Sequence, residues 1–295
     1  MELRITTLIE NNPDDKKDLF FEHGLSLLIE ADGKRILFDT GQSGDFIKNA
    51  KTLNQNLLDL NYVIISHGHY DHSGGFRKFI EVVEKSPKLI VGEEFFAPKY
   101  KRVSENEYKY NGNSFDETYI KNKQIPLIKV KEDILYLTKN IMVFHNFARR
   151  TDYEKLSNKF YIGDDKENIE SSSHNNSAYM RDEFSDEIVL GINTEKGLVV
   201  IVGCSHIGIV NILSTIIERT DVPIYAVIGG THLVDADEFR IQQTISAFAA
   251  MNIRYIAVSH CTGEQGIKEI KDNMEEKFVF NNTGKVIDYK MNKLL

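Results

Sequence analysis

Three of the chain's nine histidines fall within six positions, in the run His67-Gly68-His69-Tyr70-Asp71-His72. Imidazole nitrogens and a carboxylate this close in sequence can aim several donors at one small volume, which is what holding a divalent metal requires. An ordinary loop is built from Gly, Asn or Ser and has no need of three imidazoles around an aspartate. Three later turns repeat the mixture of small residues and histidine: Gly203-Cys204-Ser205-His206, Gly229-Gly230-Thr231-His232 and Ser259-His260-Cys261. One such histidine would pass for a core or surface residue, but the repetition asks for a common purpose.

Each of these turns follows a short apolar run, at residues 63–65, 198–202, 224–228 and 255–258. Helical periodicity follows in turn over 76–83, 207–217, 236–251 and 264–275. The chain opens with alternation over 3–9 and with a hairpin of 24–30 and 34–38, then Asp39-Thr40-Gly41 and a helix over about 44–53 for which Ser43 can serve as cap. Residues 88–91 predict a further strand, and two more hairpins are expected from 134–137 with 141–144 and from 188–192 with 198–202. Strands and helices in this order predict a layered α/β fold, in which sites form at the carboxyl ends of strands, so the histidine turns should converge. Between about 94 and 180 the periodicity weakens and tyrosines scatter among Lys, Glu, Asn and Ser. That stretch reads as an insertion within one domain of residues 1–295, serving as a lid or an oligomer contact.

Apolar residues make up 41% of the chain and charged ones 27%, as in a globular protein in water. The net charge of -8 speaks against wrapping nucleic acid or docking on an anionic membrane, both of which need a basic face. Cys204 and Cys261 each sit beside a histidine and form no disulfide framework. With no export-like segment or apolar run near 18 residues, a cytoplasmic location is expected, and a homo-oligomer is left open.

The pattern His67-x-His69-x-Asp71-His72 resembles the signature of the metallo-β-lactamase fold superfamily. Asp39-Thr40-Gly41 after a strand is similar to that family's first motif, and His260 to its last histidine ligand; the likeness spans 1–92 and 186–288. The resemblance implies a four-layer αβ/βα sandwich with the insertion between its halves, and a site at one sheet edge. It also implies His67 and His69 on one metal, Asp71, His72 and His260 on a second, and Asp39 holding a histidine by hydrogen bond. Where the family has an aspartate bridging the metals, this chain has Cys204, either a thiolate ligand favouring zinc or a small buried side chain. For the third histidine of the first metal His206 is the leading candidate, with His174 or a carboxylate from Asp182, Asp186 or Glu187 as alternatives.

Glu22-His23-Gly24, Cys204-Ser205-His206-Ile207-Gly208 and His260-Cys261-Thr262-Gly263 are similar to the branch that includes dihydropterin ribofuranosylaminobenzene phosphate synthases. This implies an enzyme with one or two divalent ions, zinc first and iron or manganese as alternatives. The expected activity is hydrolysis of a small molecule, with Asp71 and His232 catalytic and His23 and His232 on the substrate. Transfer of a pterin-methyl group to an aminobenzene ribose phosphate is the other expectation, with Arg149, Arg150, Lys99 and Lys101 as candidate phosphate contacts.

Overall fold

A computed structural model describes residues 2–163 and 179–289. The amino-terminal half builds a seven-stranded sheet. Its antiparallel part pairs β1 (Leu3–Ile9), β2 (Ser26–Ala31) and β3 (Lys34–Phe38). Its parallel part continues through β4 (Tyr62–Ile64), β5 (Lys88–Gly92) and β8 (Leu127–Val130). The last strand in sequence, β17 (Val286–Asp288), closes the far edge against β1.

The second half builds a six-stranded sheet. Here β9 (Ile134–Tyr136), β10 (Ile141–Phe144), β13 (Val189–Thr194) and β14 (Gly197–Val202) are antiparallel. The neighbouring β15 (Ile224–Gly229) and β16 (Tyr255–Val258) run parallel to β14.

Three apolar clusters define the layers. Ile5, Leu27, Ile29, Ile36 and Ile64 of the first sheet meet Val143, Leu190, Val199, Ile201 and Ile228 of the second, so the sheets pack face to face. The outer face of the first sheet is covered by α1 (Asp45–Thr52) and, after the one-turn α2 (Tyr70–Ser73), by α3 (Phe76–Val82) and α4 (Glu117–Asn122), through Phe46, Phe76, Phe79 and Ile120. That of the second is covered by α5 (Ile209–Thr220), α6 (Glu238–Ala250) and α7 (Gly263–Asn273), through Ile212, Ile216, Ile241, Phe248 and Ile270. The result is the expected αβ/βα sandwich.

The segment 94–180 is divided among three sheets. β8 joins the first large sheet, and β9 and β10 join the second. Only β6 (Lys99–Ser104), β7 (Glu107–Tyr110), β11 (Phe160–Gly163) and β12 (Tyr179–Arg181) form a separate four-stranded sheet. The scattered tyrosines hold this small sheet together: Tyr108 stacks on Tyr179 at 3.9 Å, and Tyr100 meets Tyr110 and Tyr179 edge-on. The polar loop expected at 164–176 lies outside the described residues. The cap position of α1 is Gly44, one residue past the expected Ser43, while the Ser43 hydroxyl accepts from the N–H of Asp45, the first residue of the helix. No described helix is long and apolar enough to cross a membrane.

Candidate metal centre

Parallel strands place their carboxyl ends side by side, and here those ends carry Asp39 after β3, Ser66 after β4, Cys204 after β14, His232 after β15 and His260 after β16. The turns are tight enough that Asp39, Ser205, His232 and His260 all take left-handed backbone conformations, with φ between 48° and 59°. Non-glycine residues adopt that region at a cost of order 1 kcal/mol or more each, and they persist where surrounding contacts hold them. Gly203 is required for another reason: a Cβ there would lie 2.1 Å from Ser66 Oγ, so no other residue lets β4 and β14 end so close together.

Seven side chains separate into two donor groups, His67, His69 and His206 in one and Asp71, His72, Cys204 and His260 in the other, with the donor atoms of each group within 4.8 Å of one another. In the first, His67 Nε2 stands 3.0 Å from His69 Nδ1 and 3.2 Å from His206 Nε2. In the second, His72 Nε2 stands 3.1 Å from Cys204 Sγ and 3.2 Å from His260 Nε2, and Asp71 Oδ2 lies 3.3 Å from His260 Nε2. A tetrahedral zinc with bonds of about 2.0–2.1 Å to nitrogen would separate its ligand nitrogens by about 3.3 Å. The spacing therefore suits ligands sharing a small cation.

The protonation states agree with this fit in the first group, whereas in the second a cation must displace the protons of His72 and Cys204. Burial pushes the imidazolium forms of His67, His69 and His206 well below the usual range, which leaves neutral rings with lone pairs to offer. Burial works against the charge of Asp71, but His72 and His260 hold its carboxyl well below the ordinary carboxylate range. Burial would also depress His72, yet the charges of Asp39 and Asp71 and the Asp39 hydrogen bond lift it to about 9. His260 falls to about 4, chiefly through burial. Burial pushes the Cys204 thiol well up, so it becomes a thiolate only if a cation stabilises the charge.

A ring of outer contacts aims the donors. The Asp39 carboxylate accepts from Ser66 N–H at 2.7 Å, from Ser66 Oγ at 2.9 Å and from His72 Nδ1 at 2.6 Å, which turns His72 Nε2 toward Cys204 and His260. Asn11 Oδ1 meets His260 Nδ1 at 2.8 Å. Glu187 accepts from His206 N–H at 2.8 Å and from Ile207 N–H at 3.0 Å. Asp186 accepts from Gly68 N–H at 2.7 Å and from Lys99 Nζ at 2.8 Å, while Asp182 takes the same ammonium at 2.7 Å.

The structure brings some of the residues singled out in the sequence together and places others elsewhere. His206 and Cys204 both join the donor groups, whereas Asp182 and Asp186 are committed to Lys99, and Glu187 to backbone amides. His174 lies outside the described residues. His23 is largely exposed, with Nε2 3.3 Å from Asp71 Oδ2, and His232 packs against His206 with ring centroids 4.3 Å apart. Of the candidate phosphate contacts, Lys99 is buried in its ion pairs, Arg149 pairs with Glu183, and Arg150 with Glu218. Sequence reasoning missed Asn11, Ser66 and the structural use of Glu187. Only Ser66, adjacent to His67, left a local signal.

Residues 19–149 match the family model described as the metallo-beta-lactamase superfamily. The chain is 32% identical, over 97% of both proteins, to a 7,8-dihydropterin-6-methyl-4-(beta-D-ribofuranosyl)-aminobenzene-5'-phosphate synthase of Methanocaldococcus jannaschii. It superimposes with a TM-score of 0.80 and 30% identity, over 97% of this chain and 98% of the other, on a crystal structure described as a metal-dependent hydrolase of the beta-lactamase superfamily. A diphosphatase of the PhnP family, at 11% identity and a TM-score of 0.53 over 98% of each chain, shares the fold.

Proposed function

The chain belongs to the metallo-β-lactamase superfamily, and from that premise we propose that it is a metal-dependent hydrolase acting on a small molecule. The observation that carries this reading is the convergence of two adjacent donor groups, His67, His69 and His206 beside Asp71, His72, Cys204 and His260, whose buried atoms approach at ligand spacing. Divalent ions held there, zinc first because thiolate is a soft ligand and iron or manganese as alternatives, would supply a water of lowered pKa and a Lewis acid for the bond under attack.

The chain's own groups then have separate tasks. The ionised Asp71 orients a water and can accept its proton, with His23 against the same oxygen from the solvent side. His232, held down to about 4 by burial and by the nearby Arg240 charge, is a neutral imidazole at pH 7 and can donate a hydrogen bond to developing negative charge. Buried free thiols at Cys204 and Cys261 suit a reducing compartment such as the cytoplasm. Elemental analysis of untagged protein should find near one or two equivalents of metal. Protein that holds none and shows no response to zinc, iron or manganese would sink the reading.

A second reading, transfer of a pterin-methyl group to an aminobenzene ribose phosphate, draws support from the synthase relative that matches over nearly its whole length. Incubation with dihydropterin pyrophosphate separates the two. Pyrophosphate released only when an aminobenzene acceptor is present indicates transfer, and release with water alone indicates hydrolysis.

A further inference from the structure

An open basin of about 740 Å³, within the size range of small-ligand sites, reaches down to His206 and His232 at the edge of the donor groups. In a chain with 36 basic and 44 acidic residues, its described walls reverse the balance. Five basic side chains face three acidic ones, and one of the five, Arg149, is paired with Glu183 outside the lining.

The three carboxylates are already engaged. Glu154 accepts from Val210 N–H at 2.9 Å and Asn211 N–H at 2.7 Å, capping α5. Asp237 accepts from Arg240 N–H at 2.8 Å, capping α6, and Asp235 pairs with Lys159 at 2.8 Å. The basic groups are less fully matched. Arg240 Nε is buried without a hydrogen-bond partner among the described residues. Lys155 is exposed and has no carboxylate partner among them, and the Arg181 guanidinium meets only the neutral Leu156 carbonyl there. Unspent guanidinium donors beside the unspent Lys155 ammonium are the equipment for a tetrahedral oxyanion, which guanidinium forks bind with directed hydrogen bonds.

We propose that this basin, lined by Lys155, Lys159, Arg181 and Arg240, is an anion subsite that seats a phosphate monoester group of the substrate while the reacting part of the molecule lies at the donor groups beyond His206 and His232. The phosphate is a handle: its binding holds the substrate in register and leaves the bond under attack at the donor groups. The basic excess of the walls suits an anion, and a basin of this volume fits a small metabolite better than a nucleic-acid backbone, which the chain's net charge of -8 would repel. The subsite's meaning as part of an active site rests on the metal-centre reading, whereas its capacity to bind an anion does not.

The two can therefore be tested apart, by calorimetric titration of inorganic phosphate into chelator-treated protein at fixed ionic strength. The expected result is saturable binding by the metal-free wild type, weakened at least about tenfold by Arg240→Gln and by Lys155→Ala. Acetate should compete poorly. Lys155 is exposed, so that variant keeps the test decisive if Arg240→Gln unfolds. Phosphate that binds only to metal-loaded protein, equally well in wild type and Lys155→Ala, would assign the anion to the metals and overturn the subsite while leaving the metal centre intact. Absence of phosphate binding, or acetate competing as well as phosphate, would also overturn it. Binding in the basin by a protein that never holds metal would support the anion site and defeat the hydrolase reading alone.

Discussion

Asp39→Asn tests how the donor groups are held. Asp39 sits at φ 58°, a region Asn tolerates nearly as well as Asp, so this substitution isolates the side-chain chemistry from backbone strain. The retained carbonyl oxygen can still accept from Ser66 N–H, now at 2.7 Å. The new amide, however, presents N–H toward His72 Nδ1, which the carboxylate now meets at 2.6 Å. To accept that hydrogen, His72 must carry its own proton on Nε2, the atom facing Cys204 and His260, and a protonated nitrogen cannot ligate. Losing a partner that orients a ligand typically costs about 10–100-fold in metal affinity, or roughly 1.4–2.7 kcal/mol.

The pH dependence adds a sign. In metal-free wild type His72 titrates at about 9, so metal must displace its proton and apparent affinity should rise about tenfold per pH unit up to that value. Without the Asp39 charge His72 is neutral over more of this range, and that rise shrinks. The wild-type advantage should accordingly be smallest near pH 6 and widen toward pH 9. Zinc titration against a chromophoric competitor chelator measures both, with thermal unfolding confirming that the variant folds. Equal affinities, or a ratio constant across pH, would refute the assignment of Asp39 as the group that sets the His72 tautomer.

Other perturbations reach different parts of the same construction. Cobalt-substituted wild type should show a thiolate charge-transfer band in the near ultraviolet that Cys204→Ser abolishes; an unchanged spectrum would return Cys204 to the role of a small buried side chain. Lys99→Ala strands Asp182 and Asp186, both buried, and should lower the unfolding free energy in denaturant by about 3–5 kcal/mol while loosening the Gly68 turn. Burial lifts Glu187 to about 7 from an unfolded value near 4.5, so its contribution to stability falls as pH rises through that window. Relative to Glu187→Gln, metal-free wild type should therefore lose up to about 3 kcal/mol between pH 4.5 and 7, and parallel stability curves would contradict this.

The layered fold and the heart of the donor set were legible because their signals are local. Alternation, helical period and glycine turns act over a few residues, and His67, His69, Asp71 and His72 lie so close in sequence that one turn gathers them whatever surrounds it. The small-residue and histidine turns after β14, β15 and β16 carried the same signal, since strands laid parallel must end side by side. What the sequence could not decide depends on partners far along the chain. Asn11 is 249 positions from the His260 it orients, and Asp186 is 118 from the Gly68 amide it holds. Glu187, Asp182 and Asp186 read first as solvated charge and only secondarily as ligands, and folding made them neither, since backbone amides and Lys99 occupy them. Likewise the basic residues singled out beside one another, Arg149 and Arg150, pair with separate carboxylates, while Lys155, Arg181 and Arg240, unremarkable in sequence, join Arg149 around one basin. Residue type and short spacing specify which atoms can ligate, because that chemistry is intrinsic to the side chain. Only the tertiary structure assigns each buried charge its partner, because in a low-dielectric interior the nearest opposite charge or amide, wherever it lies in the chain, determines what a carboxylate or a guanidinium is free to do.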